Sequence, residues 1–223
     1  MDNPVAIISC DRFHGFVLGR FIAAEFPGCT VKVYHSALRA LAALEVESFS
    51  YSFMDPQMPD LDGLDYIPEL INSGKSERNL IVSNRTDERT LNVLGAQNYD
   101  GWFDTGSCLP GDLQVALTEI SFGRKYLSPA LGIAMKSING STNLVLSGHE
   151  EKILSLLGSG LDNVAAAERL QLAVDTVRSH RARIMLKLHL HHKGDLMNYA
   201  LARGYVRHSC DGIPSPRMVG LIR

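Results

Sequence analysis

The chain has little cysteine and no long apolar run, and each shortage removes a class of protein. Cys10, Cys29, Cys108 and Cys210 are widely scattered and form no Cys-x-x-Cys pair. Neither a zinc site nor a disulfide framework is therefore expected, and four reduced thiols are the simplest reading. No basic segment precedes the short apolar run Val5-Ala6-Ile7-Ile8, and no stretch approaches the roughly 18 apolar residues a spanning helix needs. The expectation is a cytoplasmic protein with no membrane partner. His189, His191 and His192 lie close together without a carboxylate or cysteine in register, so they read as exposed or phosphate-facing imidazoles rather than a metal site. No internal repeat is apparent.

What is present is uneven in charge. The 223 residues carry a net charge of −2, yet residues 1–145 hold 11 Lys or Arg against 17 Asp or Glu, and residues 146–223 hold 11 against 7. An acidic half is joined to a basic one. That polarity assigns nucleic acid to the C-terminal half. The length suits two modest domains.

The acidic half alternates short apolar strands with amphipathic helices. Strands are predicted at Val5 to Ser9, Thr30 to Tyr34, Phe49 to Met54, Leu80 to Ser83 and Gly101 to Phe103, with helical segments around 17–25, 37–44, 64–71, 88–94 and 113–122. Five βα units predict an α/β doubly wound, five-stranded parallel sheet whose ligands sit at the C-terminal strand ends. Asp11, Asp55 and Ser83 each follow or end a strand, so they should meet at one edge. Strand three is odd: Ser48, Ser50 and Ser52 alternate with Phe49, Tyr51 and Phe53, where a buried parallel strand should be nearly continuous in apolar residues.

The basic half reads as an all-α four-helix domain. Asp162-Asn163 cap a short helix through Leu170 with Val164, Ala167 and Leu170 on one side, a turn runs from Gln171 to Val174, and a second helix covers Asp175 to Leu188. In that second helix Val177, Ile184 and Leu188 define a buried stripe, while Arg178, Arg181, Arg183 and Lys187 point away from it. A small-residue helix, a tight turn and a basic helix, in that order, press the second helix into a major groove.

Two runs make the reading specific. Ser147 to Leu157, Gly160 to Asn163, Ala167 to Leu170, Thr176-Val177-Arg178-Ser179-His180 and Ile184 to Leu188 together resemble the LuxR-type helix-turn-helix of the NarL/FixJ response regulators, and Asp195 to Tyr205 resembles that domain's last helix, usually a dimer contact. Met54-Asp55-Pro56-Gln57-Met58-Pro59-Asp60-Leu61-Asp62-Gly63 resembles the phosphoacceptor loop of CheY-like receiver domains. The resemblance implies that Asp55 is the phosphoacceptor, that Asp11, Asp55 and the Gln57 carbonyl hold Mg2+, and that Ser83 bonds the phosphoryl group. It puts Trp102 at the aromatic switch position. Base edges would be read by Arg178, Ser179 and Ala182, and phosphates held by Thr176, Arg181, Arg183 and Lys187.

The departures are as informative. Receivers usually have two acids after strand one, but here Cys10 precedes Asp11, and a thiol suits a hard-oxygen Mg2+ shell poorly. The family's lysine after strand five is missing: no lysine lies between Lys75 and Lys125, and Asp104 or Thr105 stands in its place. Ala173 replaces a Ser or Thr before the recognition helix, so Asp175 or Thr176 must cap it. His189 stands where glycine is common. Tyr126-Leu127-Ser128-Pro129 lacks the Trp and Arg of a motif by which some members bind a cyclic dinucleotide.

The expected organisation is a receiver-like domain over residues 1–123, a linker helix and flexible joint over 124–145, the helix-turn-helix domain over 146–207, and a loosely packed tail over 208–223. The expected function is sequence-specific transcriptional regulation by a homodimer on paired half-sites of double-stranded DNA, with no enzymatic activity. No cofactor is required, and Mg2+ is the one the resemblance admits. Two modes of control stand open: dimerisation governed by a degenerate receiver without phosphorylation, through a small effector or another protein, and conventional phosphorylation of Asp55 by a histidine kinase. A protein-interaction module that reads no DNA is the rival of another class. Aspartyl-phosphate phosphatases need a second Asp where Gln57 stands, which disfavours an enzyme.

Overall fold

Short β-branched and aromatic runs, each followed by a helix, build the first part of the chain. The computed structural model describes residues 3–85, 87–138, 146–208 and 214–217. In chain order these give β1 (Val5–Ile8), α1 (Arg12–Glu25), β2 (Val31–Tyr34), α2 (Ala37–Val46), β3 (Phe49–Met54), α3 (Gly63–Asn72), β4 (Ser76–Ser83), α4 (Glu88–Gly95), β5 (Gly101–Asp104), α5 (Pro110–Ser121), β6 (Tyr126–Leu127) and α6 (Pro129–Ile138). The strands lie in the order β2-β1-β3-β4-β5-β6, and every pairing is parallel. One sheet face packs Ile7, Phe53, Leu80 and Val82 against Leu18 and Ile22 of α1 and Leu117 and Ile120 of α5.

The sheet is six-stranded, one strand more than expected. Tyr126-Leu127 falls in the stretch expected as linker helix and joint, but Tyr126 N–H donates to the Asp100 carbonyl at 2.9 Å and Ser128 N–H to the Trp102 carbonyl at 3.0 Å, so the segment pairs with β5. The helix starts only at Pro129, where the missing N–H costs nothing. Residues 139–145 of the stretch expected as linker helix and joint lie outside the described residues. The serines of β3 divide in their partners. Ser50 Oγ donates to the Asn3 carbonyl at 2.8 Å, whereas Ser52 Oγ, fully buried beside Asn79, has no partner among the described residues.

The second compact unit contains α7 (Gly148–Gly158), α8 (Asn163–Leu170), α9 (Val174–Lys187) and α10 (Lys193–Ala202), with β7 (Val206–His208) and β8 (Pro214–Pro216) after them. Ile153, Leu157, Ala167, Val177, Ile184, Leu196 and Val206 form its core. Helices α7 and α10 cross closely at Gly158, where an added Cβ would lie 2.3 Å from that of Ala200.

This unit is not all-α. The tail, expected to pack loosely, contributes β8, which pairs antiparallel with β7. Ser155 explains the order. Its fully buried hydroxyl reaches the carbonyls of Tyr205 and Arg217, so one side chain of α7 anchors the backbone just before β7 and just after β8. Among the described residues, no helix is long and apolar enough to cross a membrane.

Candidate nucleic-acid interface and receiver pocket

Parallel strands bring their C-terminal ends to one edge, and β1, β3, β4 and β5 are neighbours there. Asp55 follows β3, its N–H bonded to the Ile8 carbonyl at 2.9 Å and its Oδ1 accepting from Gln57 N–H at 2.8 Å. The Tyr66 hydroxyl, fully buried, donates to the Asp55 carbonyl. Gly63 closes the loop by close approach, since a Cβ there would lie 2.4 Å from Pro56 Cα. Burial pushes the Asp55 carboxyl up to about 6, against the Gln57 N–H and the positive charge of Arg85, which lower it. Asp11 adds a smaller upward push.

The other pocket residues are deployed differently from the expectation. Asp11 is exposed and caps α1, its Oδ1 accepting from Phe13 N–H at 2.8 Å and His14 N–H at 3.0 Å, and these bonds hold its pKa below the ordinary carboxylate value. Cys29 and Cys108 are free and half-buried, and Cys10 puts a soft sulfur where the family's second acid would stand. Buried Ser83 accepts from Arg85 N–H at 3.0 Å. Asp104, also buried, turns into its own loop, where Gly106 N–H, at 3.2 Å, and the Ser107 hydroxyl donate to it. Thr105 is exposed, its N–H bonded to the Ser83 carbonyl at 3.3 Å. Trp102 is fully buried and meets Tyr99 edge to face with centroids 5.6 Å apart, a core packing role.

These donors do not fit a Mg2+ shell. One carboxylate is committed to a helix cap, a cysteine stands at the place of the second acid, and no cluster of three or more His, Cys, Asp or Glu able to hold a metal occurs among the described residues.

In the second unit α9 buries Val177, Ile184 and Leu188 as predicted. Its exposed surface carries Arg178, Ser179, Ala182 and Arg183, while Thr176 and Arg181 are half-buried. Arg178 Nη1 sits 3.0 Å from Asp175 Oδ1, and Ser179 Oγ donates to the Asp175 carbonyl at 2.9 Å. The buried side of α8 is Ala166 and Ala167 with Leu170 packed beside them, so of the expected stripe Ala167 and Leu170 face the core and Val164, 50% exposed, does not.

The comparisons with known proteins agree with this geometry. The family model described as bacterial regulatory proteins, luxR family, matches residues 144–200. The oxygen regulatory protein NreC of Staphylococcus carnosus is 31% identical over 165 residues, covering 67% of this chain and 74% of that protein. The transcriptional regulatory protein UhpA of Escherichia coli is 30% identical over 162 residues, covering 71% and 77%. This chain belongs to the NarL/FixJ family of response regulators. Its fold matches RcsB of Salmonella enterica serovar Typhimurium at a TM-score of 0.61 and 19% identity, covering 92% of this chain and all of that one. A DNA-binding transcriptional regulator is the function the family carries.

Two details of this response regulator's DNA-binding unit escaped the sequence reading. Lys187, expected on a phosphate, donates to Glu150 Oε2 at 2.7 Å. Glu150 is only 4% exposed and also accepts from Ser147 N–H at 2.8 Å, closing a capping box at the start of α7. The lysine and then the Ser147 N–H hold its pKa down at about 2. Lys187→Ala is therefore expected to lower the melting temperature, by the equivalent of about 1–3 kcal/mol for a buried carboxylate left without its cation. A salt titration of DNA binding checks the alternative, since loss of a phosphate contact would instead reduce the slope of log affinity against log salt by about one.

The second detail is the start of α9. Neither Asp175 nor Thr176 caps it; the N-cap is Ala173, with no side-chain bond, because the helix begins one residue earlier than predicted. At its far end His189 takes a positive φ of 53°, a conformation in which a side chain is strained and the family's glycine is not. Ala173→Ser should stabilise the fold by about 1 kcal/mol. Unchanged chemical-denaturation midpoints would show that water already satisfies the helix end.

Proposed function

We propose that this response regulator binds paired half-sites of double-stranded DNA as a homodimer, and that its receiver governs dimerisation without a phosphoryl group on Asp55. The observation that carries this is the loss of the pocket's cation: Thr105 is exposed, and Asp104 is spent on its own loop. Phosphoryl transfer is mostly positioning and charge neutralisation, so a pocket short of a lysine and a metal ligand performs it badly. The receiver spans residues 1–123, the linker 124–145, the DNA-binding domain 146–207 and its tail 208–223, all in the cytoplasm. A small effector or another protein supplies the signal in place of a histidine kinase.

In this reading Arg178, Ser179 and Ala182 face base edges, and Thr176, Arg181 and Arg183 hold phosphates. With Lys187 paired to Glu150, the three arginines Arg178, Arg181 and Arg183 give the groove-facing side its positive charge.

Incubation with acetyl phosphate and Mg2+ should label the protein poorly, and Asp55→Ala should keep DNA affinity within a few-fold of wild type. Cys10→Asp with Thr105→Lys should raise labelling. Stoichiometric labelling of the wild type with a large gain in DNA affinity would instead establish conventional control by phosphorylation.

A further inference from the structure

Arg181 is a half-buried cation with no counter-ion. It stands one turn after Val177 and one turn before Ile184, the two fully buried residues of α9, so its side chain leaves the helix at the edge of the core stripe. There it lines a cavity of about 50 Å3, whose other polar groups are Asp162, Asn163 and Lys193 and whose apolar lining is Leu157, Leu161 and Leu196. Among the described residues neither the Arg181 guanidinium nor the Lys193 ammonium has an ion pair or a hydrogen bond. Asp162, the one acid of the lining, is spent on the cap of α8, its Oδ1 accepting from Ala165 N–H at 2.8 Å. Asn163 Oδ1 is buried and has no partner among the described residues.

We infer that this cavity among the four helices is a site for one phosphate group. Two cations that line one small space repel each other until an anion enters, and the three leucines beside them reduce the screening by water. A single water needs roughly 10–15 Å3, so the space takes one small anion and little more. Arg181 offers a planar fork of donors that matches phosphate, and Lys193 offers a point charge. Asn163 completes the set after a half turn of its amide, which exchanges the unpartnered Oδ1 for the two donors of Nδ2. The phosphate has two sources, the backbone of a bound duplex and free phosphate in solution. The first rests on the reading that α9 binds DNA, and it deepens that reading by joining to Arg181 two residues outside α9, Asn163 and Lys193.

The test titrates the full-length protein with duplexes in which single backbone phosphates are replaced in turn by neutral methylphosphonates. A second arm titrates it with inorganic phosphate at constant ionic strength, followed by the width of the phosphorus resonance. A charged hydrogen-bonded contact is worth about tenfold in affinity or more, so one methylphosphonate position should cost the wild type that much and cost Lys193→Gln almost nothing. Lys193 is exposed, so this variant keeps its fold. Arg181→Gln should erase the effect at the same position, so that side chains of two helices point to one phosphate. That result assigns the DNA backbone as the source. Saturable broadening by inorganic phosphate that disappears in Lys193→Gln assigns free phosphate instead. The inference is overturned if every methylphosphonate costs wild type and Lys193→Gln alike and inorganic phosphate shows no saturable binding. The wild type's preference for specific over random DNA judges the DNA-binding reading separately, and the inorganic phosphate arm runs whatever that preference is.

Discussion

Arg178→Ala should weaken binding to the specific DNA site by about 1–3 kcal/mol while changing affinity for random DNA much less. Arg178 is the long donor among the three residues proposed to face base edges, and its side chain is 63% exposed. An arginine in the groove bonds guanine O6 and N7 bidentately, an arrangement neither Ser179 nor Ala182 can replace. The pair with Asp175 does not hold it back. Asp175 is 89% exposed, and exposed ion pairs of this kind contribute little. Gel-shift or anisotropy titrations on specific and scrambled duplexes check this. Equal losses on the two would make Arg178 a phosphate clamp and rotate the helix in the groove by about a quarter turn.

Asp55→Asn should stabilise the protein at alkaline pH and not at acid pH. The carboxyl is pushed from 3.8 up to about 6, chiefly by burial, so the native state holds its proton more tightly than the unfolded chain does. The stability this confers is complete below about pH 4 and is lost as pH rises through about 6. At pH 8 the wild type carries the cost of ionising a buried acid. Two pKa units correspond to about 3 kcal/mol, an upper bound for what the neutral amide recovers. Arg85 opposes the effect and Asp11 adds to it, so both belong in the same titration. Thermal melts of the two proteins from pH 4 to pH 8 should diverge with rising pH. An equal benefit at both ends would point to repacking rather than charge.

Much of this was legible before the fold was known, because the features are local. The βα alternation follows from apolar runs and caps, β3 matches its predicted bounds, and the Val177, Ile184 and Leu188 stripe follows from helical period alone. What escaped depends on partners distant in sequence. Two residues at Tyr126-Leu127 carry too little pattern to declare a strand, and they become one only because β5 offers an unpaired edge. The tail contains Pro214 and Pro216, which argue against a strand, yet β7 lies beside it and a serine of α7 supplies the hydroxyl that anchors it. Lys187 looked like its basic neighbours on α9; only the fold reveals that its partner stands 37 residues earlier.

The central claim is that this chain reads DNA sequence through α9. It is tested most directly by mapping the genomic sites the full-length protein occupies and then measuring its affinity, at one stated salt concentration, for a recovered site and for a random duplex of equal length. The account predicts a preference of about a thousandfold or more for the recovered site, lost in large part on Arg178→Ala. A preference near one, with Arg178→Ala indistinguishable from wild type, would contradict it.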